Sequence, residues 1–258
     1  MRKRLTWTLA IGAALAVAFA GIATAEKPTI VQVGNLKLTL NGGFKPKKLP
    51  KNKLAGISLN VSGKIQTVDG THPPALREVI VETDKNGAIN AKGLPVCTAA
   101  KLNSQDTAHA IKACPNAIVG EGKTDVEIEF AEQAPIVAHS KLVAFNGGVR
   151  GGKTTIFIHA FLTVPVPAAV VTTVTVSKIH HGRYGTKSVG KIPVIAGGYG
   201  SPTFFELNFK RNFTYKHKKQ SYLLAKCPDG HLNAKATSIF SDGSKLTGSF
   251  VRSCTPKG

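Results

Sequence analysis

Residues 146–155 read NGGVRGGKTT, and Gly147, Gly152, Lys153 and Thr154 fill every fixed position of the phosphate-loop pattern G-x-x-x-x-G-K-[ST]. In a nucleotide-binding protein such a loop wraps phosphates with backbone N–H groups. A helix must then start at the lysine and add its dipole, while the Thr hydroxyl holds a Mg²⁺. The residues after Lys153 are TTIFIHAFLTV, β-branched and aromatic, with Ile156, Ile158, Ala160, Leu162 and Val164 on one face. That is a strand pattern, and no α/β alternation surrounds it. The spacing predicts a hairpin instead: strands 141–145 and 155–164, joined by a glycine-rich turn that carries Arg150 and Lys153 into solvent. No nucleotide is expected at 147–154.

Other reactive side chains give weaker patterns. His159 lies between Phe157 and Phe161 on the second face of that strand. It reads as a half-buried histidine holding a hydrogen bond, or else as a base or ligand. His180 and His181 are adjacent, so on a strand they point to opposite faces and do not chelate together. Asp106 and His109 share a turn of the only helix-like stretch and read as a solvated helix face. Gly185–Gly190 is one residue too long for G-x-S-x-G. Asp84-x-Asn86-Gly87 opens like a calcium loop but lacks the closing Glu, and reads as a turn. Neither H-E-x-x-H nor C-x-x-C occurs. No catalytic residue, metal or cofactor is assigned.

Two lysine-rich stretches remain, KPKKLPKNK (45–53) and KRNFTYKHKKQSY (210–222). Cations interleaved with aromatics suit a polyanion or an anionic glycan. The candidate binding residues are Lys210, Arg211, Tyr215, Lys216, Lys218 and Lys219, supported by Lys45, Lys47 and Lys48. The competing reading turns Phe213 and Tyr215 into the core and leaves the lysines to guard a strand edge.

The elements that must position these residues are mostly strands. Ile57, Leu59, Val61 and Ile65 alternate with polar neighbours, as do Val126, Ile128 and Phe130, and Phe205, Leu207, Phe209 and Phe213. Such alternation marks antiparallel sheet with one wet face. Turn signals at Asp69-Gly70, Asn86-Gly87, Asn146-Gly147, Asp229-Gly230 and Asp242-Gly243 punctuate about twelve strands. Only TAAKLNSQDTAHAIKA (98–113) reads as helical, and cysteines bracket it. Four cysteines permit three pairings. Cys97–Cys114 with Cys227–Cys254 closes two local loops and is the expected one. The fold class is therefore all-β: an antiparallel β-sandwich or flattened barrel with one short disulfide-bracketed helical insert (about residues 98–113). Residues 26–258 read as a single all-β domain, the alternative being two β domains split near 147–152.

The first 25 residues read as a secretory signal peptide. Arg2, Lys3 and Arg4 precede an apolar run, and Ala23-Thr24-Ala25 supplies a small-x-small cleavage site before Glu26. The competing reading is an uncleaved membrane anchor. Cleavage takes the formal net charge from +20 to +17 by removing those three cations. A basic exported chain favours anionic partners such as cell-wall polymers, glycans or anionic surfaces. A soluble basic surface without a particular partner accounts for the charge equally well. Nothing points to a specific nucleic acid.

The stretches VDGTHPPALREVIVETDKNGAINAKGLPVCTAAKL, KIPVIAGGYGS and KKQSYLLAKCPDGHL give the chain a further cue. In them it resembles a group of uncharacterised secreted bacterial proteins. The resemblance implies bacterial export, which makes the two sequons at Asn60 and Asn212 irrelevant, and it carries no ligand or catalytic residue. The leading expectation is a non-enzymatic exported β protein that binds anionic material at the cell envelope. The alternatives are a secreted hydrolase assembled from distant strands, with His159 the first suspect, and a β protein that binds an apolar ligand.

Overall fold

The computed structural model describes residues 26–258, so the expected signal peptide lies outside the described residues. Period-2 alternation produces the twelve strands, β1 to β12 in chain order, that lie along the continuous path of one fourteen-stranded antiparallel sheet. They are β1 (Thr29–Val33), β2 (Leu36–Lys45), β3 (Ala55–Thr67), β4 (Leu76–Asp84), β5 (Ile118–Ile128) and β6 (Ile136–Arg150). The others are β7 (Lys153–Leu162), β8 (Ala168–His181), β9 (Tyr184–Lys191), β10 (Gly200–Phe209), β11 (His231–Phe240) and β12 (Lys245–Ser253). Their order across the sheet is β1-β2-β3-β10-β5-β6-β7-β8-β9-β4-β11-β12. The sheet curls until its two edge strands meet, so the molecule is a nearly closed barrel.

The seam between β1 and β12 has no strand pairing. Side chains seal it: Gly248 of β12 lets Val31, Thr29 and Leu40 approach closely. Beyond the end of β1, Arg252 donates from Nε to the Gly42 carbonyl of β2. The Glu26 carboxylate completes the closure. It accepts from the Ser253 backbone N–H (2.5 Å) and hydroxyl (2.6 Å), and pairs with Lys47 (3.2 Å) and Arg252 (3.3 Å).

Outside the strands under the helical insert, apolar side chains mostly face inward and polar ones outward. On β5, Val126 and Ile128 are buried, whereas Glu121 and Lys123 are exposed. This is the reverse of a transmembrane barrel, whose apolar band faces lipid. Among the described residues no helix is long and apolar enough to cross a membrane.

The nucleotide-like stretch resolves as strand, turn and strand. β6 runs to Arg150 and β7 begins at Lys153, so the residue that would start a helix starts a strand. Gly151 and Gly152 form the turn with φ of 55° and 74°, a conformation that favours glycine, and Arg150 and Lys153 are exposed. Asn146-Gly147 is not a turn, contrary to the sequence reading. It lies inside β6 at a bulge, where the Asn146 side chain accepts from the Gly148 N–H at 3.1 Å.

The helical insert forms two short helices, α1 (Ala99–Leu102) and α2 (Thr107–Ala113). Asp106 is the N-cap of α2, accepting from the His109 N–H at 2.9 Å, and its second oxygen meets His109 Nδ1 at 2.7 Å. The pair is a helix cap. Disulfides join Cys97 to Cys114 and Cys227 to Cys254.

Candidate functional site

Eight strands suffice for a barrel that its own side chains fill, and diameter grows with strand number. Twelve strands leave space. Small residues at inward positions, including Gly42, Ala160, Thr172, Gly190 and Ala236, widen it further. The result is an interior cavity of about 430 Å³, within the usual range of small-molecule sites. Its wall is almost wholly apolar, with Val61, Leu142, Ile158, Val174, Leu207 and Phe250 as representatives. Inward residues such as Ile57, Leu59 and Val61 are only half-buried because they border this void.

Segments pack at both ends of the barrel. At one end Ile195 is buried with Val126, Ile128, Ala138 and Leu162. At the other, two short strands fold into the mouth. Leu223–Ala225 pairs with β3 on one side and with Gly87–Ile89 on the other, which sets Leu223 between Ile57 and Ile89. Tyr222, just before this plug, is held through its backbone. Its N–H donates to the Arg211 carbonyl (2.9 Å) and its carbonyl accepts from Asn90 (2.8 Å). The ring is fully buried among Leu94, Val119, Ala144, Ile156 and Val176, and the residue stands at the edge of the cavity wall.

Polar groups near the cavity are mostly satisfied. Asp84 accepts from the Asn233 N–H and side-chain amide (3.0 and 2.9 Å), and Asn233 accepts from Arg183 (3.0 Å). Among the described residues, three buried side-chain atoms have no partner: His159 Nδ1, Arg211 Nε and the Tyr222 hydroxyl. Of these residues only Tyr222 lines the cavity. Burial drives its hydroxyl pKa well above the ordinary tyrosine value, so the group stays protonated and is a donor.

His159 lies on the opposite face of β7. It is fully buried under the helical insert and its Nε2 donates to the Gln105 carbonyl at 2.9 Å. Burial lowers its pKa below the usual 6.5, and the neutral ring is the stable form. It serves the packing of the insert.

The lysine-rich stretches share one barrel end. Lys45 pairs with Ser58 of β3, whose neighbour Leu59 pairs with Phe209, just before Lys210. Lys45, Lys48, Lys210, Lys216, Lys218 and Lys219 are exposed, the last two in Lys218–Ser221, which forms a hairpin with Asn212–Tyr215. Lys47 is exposed too, yet it is engaged with Glu26 and lies 4.5 Å over the Phe44 ring. Arg211 is half-buried and donates to the Asn116 carbonyl at 3.2 Å. Phe213 packs on the inner cluster. Tyr215 lies flat against Gly93, where any side chain would collide with its ring, and Lys216 stands 5.9 Å from that ring. The cations are thus presented largely without free aromatic faces.

No family model, curated protein or solved structure matches the chain. The cavity, Tyr222 and a second cleft were not visible in the sequence. That cleft, about 560 Å³, opens at the far end beside His72, Phe130 and Tyr199. His72 meets Glu127 at 2.7 Å, and the Phe130 and Tyr199 rings are 5.3 Å apart. His72 and Glu127 are separated by 55 residues, so no local spacing reveals the pair. Among the described residues no three His, Cys, Asp or Glu side chains group as a metal site requires.

Proposed function

We propose that this is an exported, non-enzymatic binding protein that carries a small apolar molecule inside its barrel. The supporting observation is the apolar interior cavity of about 430 Å³, with segments packed at both ends of the barrel. A void of that size in a packed core forfeits dispersion contacts and is costly to maintain. An apolar guest restores those contacts, each buried CH₂ contributing about 0.8 kcal/mol. The two disulfides suit an oxidising compartment, and the leader-like first 25 residues support export.

The test is titration of residues 26–258 with the neutral fluorophore N-phenyl-1-naphthylamine. Saturable one-to-one binding with a blue-shifted emission is expected. Absence of saturable binding contradicts the reading.

The basic end favours a second reading, association with an anionic polymer or surface through Lys45, Lys210, Lys216, Lys218 and Lys219. The supporting observation is that these exposed cations gather at one end. Retention on heparin that falls steeply with salt would support it. Elution with non-specific proteins at physiological salt would oppose it.

A further inference from the structure

We infer that the basic end of the barrel docks on an anionic lipid bilayer, with the barrel axis upright and the Leu223–Ala225 end turned towards the headgroups. This rests on the reading of that end as an anion-binding surface, and it names the partner and the orientation. Successive strands run in opposite directions, so their connections divide between the two ends. The six at the far end are 34–35, 68–75, 129–135, 163–167, 192–199 and 241–244. They contain no Lys or Arg and carry Asp69, Glu129, Glu132 and Asp242. The five at the basic end are 46–54, 85–117, 151–152, 182–183 and 210–230. They carry fifteen Lys and Arg against two acids, Asp106 and Asp229. Two further carboxylates near this end are already engaged, Glu26 by Lys47 and Arg252, and Asp84 by Asn233. The charge is therefore polarised along the barrel axis, and an anionic plane attracts one end and repels the other.

Two features favour a bilayer over a linear polyanion. The cations ring the rim instead of following one groove. Lys48 and Lys53 lie between β2 and β3, Lys210 after β10, Arg150 and Lys153 at the turn between β6 and β7, and Lys85 after β4. All are exposed, and the order of these strands in the sheet spreads them around the barrel. A plane of charge meets such a ring at once, whereas a single polymer strand meets one sector of it. The second feature is apolar. Leu54 beside Lys53 and Val149 beside Arg150 are 41 % and 60 % exposed. Apolar side chains flanked by cations can enter the boundary between headgroups and acyl chains while the cations hold the headgroups. A hydrated polymer offers no apolar phase. The far end also exposes apolar residues, Val68, Val166 and Val194, but carboxylates stand among them in place of cations.

The experiment uses residues 26–258 and vesicles of phosphatidylcholine with or without phosphatidylglycerol, at physiological salt. Co-sedimentation with the mixed vesicles is expected, and none with phosphatidylcholine alone. Each rim lysine removed should weaken binding about fivefold, so Lys53→Gln, Lys210→Gln and Lys218→Gln together should lose about a hundredfold. Lys64→Gln, Lys191→Gln and Lys245→Gln remove the same charge from the barrel wall and far end, and together should lose less than about threefold. Residues 26–258 contain no tryptophan, so Leu54→Trp and Val166→Trp report on the two ends separately. Mixed vesicles should blue-shift the emission of Leu54→Trp and leave that of Val166→Trp unchanged. Equal losses in the two triple variants, an unshifted Leu54→Trp or a shifted Val166→Trp overturns the docked orientation. Salt-sensitive retention on heparin without binding to mixed vesicles makes a polymer the partner; it overturns the bilayer inference and leaves the anion-binding reading intact. Failure on both heparin and vesicles overturns both.

Discussion

Strand β7 serves two interiors that differ in kind. Its outward residues Phe157 and His159 lie beneath the disulfide-bracketed helices, beside Val143 and Phe145 of β6, and this layer is filled. Its inward residues Ile156, Ile158 and Ala160 face the barrel, and that side is hollow. The same alternation produced both faces. The difference lies in what covers them. Two short helices on a strap can settle onto a sheet until no space remains, whereas twelve strands laddered into a nearly closed barrel hold their inner faces apart. The filled face reads as stability and the hollow face as capacity to bind.

The contrast predicts unequal costs for similar truncations. Phe145→Ala on the filled face should destabilise by about 3–5 kcal/mol, because Phe145 is fully buried and its space cannot be refilled. Chemical denaturation measures this. Replacing Cys97 and Cys114 by alanine should cost about 3 kcal/mol by freeing the strap. Protease sensitivity in segment 98–113 should rise with it. Ile158→Ala on the hollow face should cost less than about 2 kcal/mol, since that side chain already borders a void. If Ile158→Ala proves as damaging as Phe145→Ala, the two faces are not different in kind.

The smallest effect is one of pH. The folded protein depresses the His159 pKa, so below pH 6.5 the unfolded chain binds a proton that the folded chain refuses. Stability should therefore be full above pH 6.5 and decline as pH falls from there towards the depressed folded pKa. In His159→Phe this component should vanish. Equal slopes of stability against pH in both proteins between about pH 6.5 and 5 would count against a neutral, packed His159.

Much of the architecture was legible because its signals are local. Period-2 alternation marked Val126–Ile128 and Phe205–Phe209 as strands, and the β-branched run after Lys153 removed the helix that a phosphate loop needs. The two disulfides followed from loop length, and the helical insert from its Ala- and Lys-rich composition. Asn146-Gly147 misled because the same dipeptide serves a bulge as well as a turn, and the chain reversed at Gly151-Gly152 instead. The cavity was not legible. It depends on the number of strands that close the ring and on small residues contributed by Gly42, Ala160 and Gly190, far apart in sequence. Tyr222 stood in a lysine-rich stretch and read as part of a basic-aromatic surface. Only the pairing of Leu223 with Ile57 and Ile89 reveals that the stretch turns inward there.

The most direct test of a hollow, ligand-holding barrel is to fill it. Ile158→Trp projects a larger ring into the void from the middle of β7. If the barrel is hollow, the variant folds with unchanged far-ultraviolet circular dichroism, is at least as stable as the wild type, and loses saturable N-phenyl-1-naphthylamine binding. A folded Ile158→Trp protein that binds the fluorophore as the wild type does would contradict a ligand-holding interior.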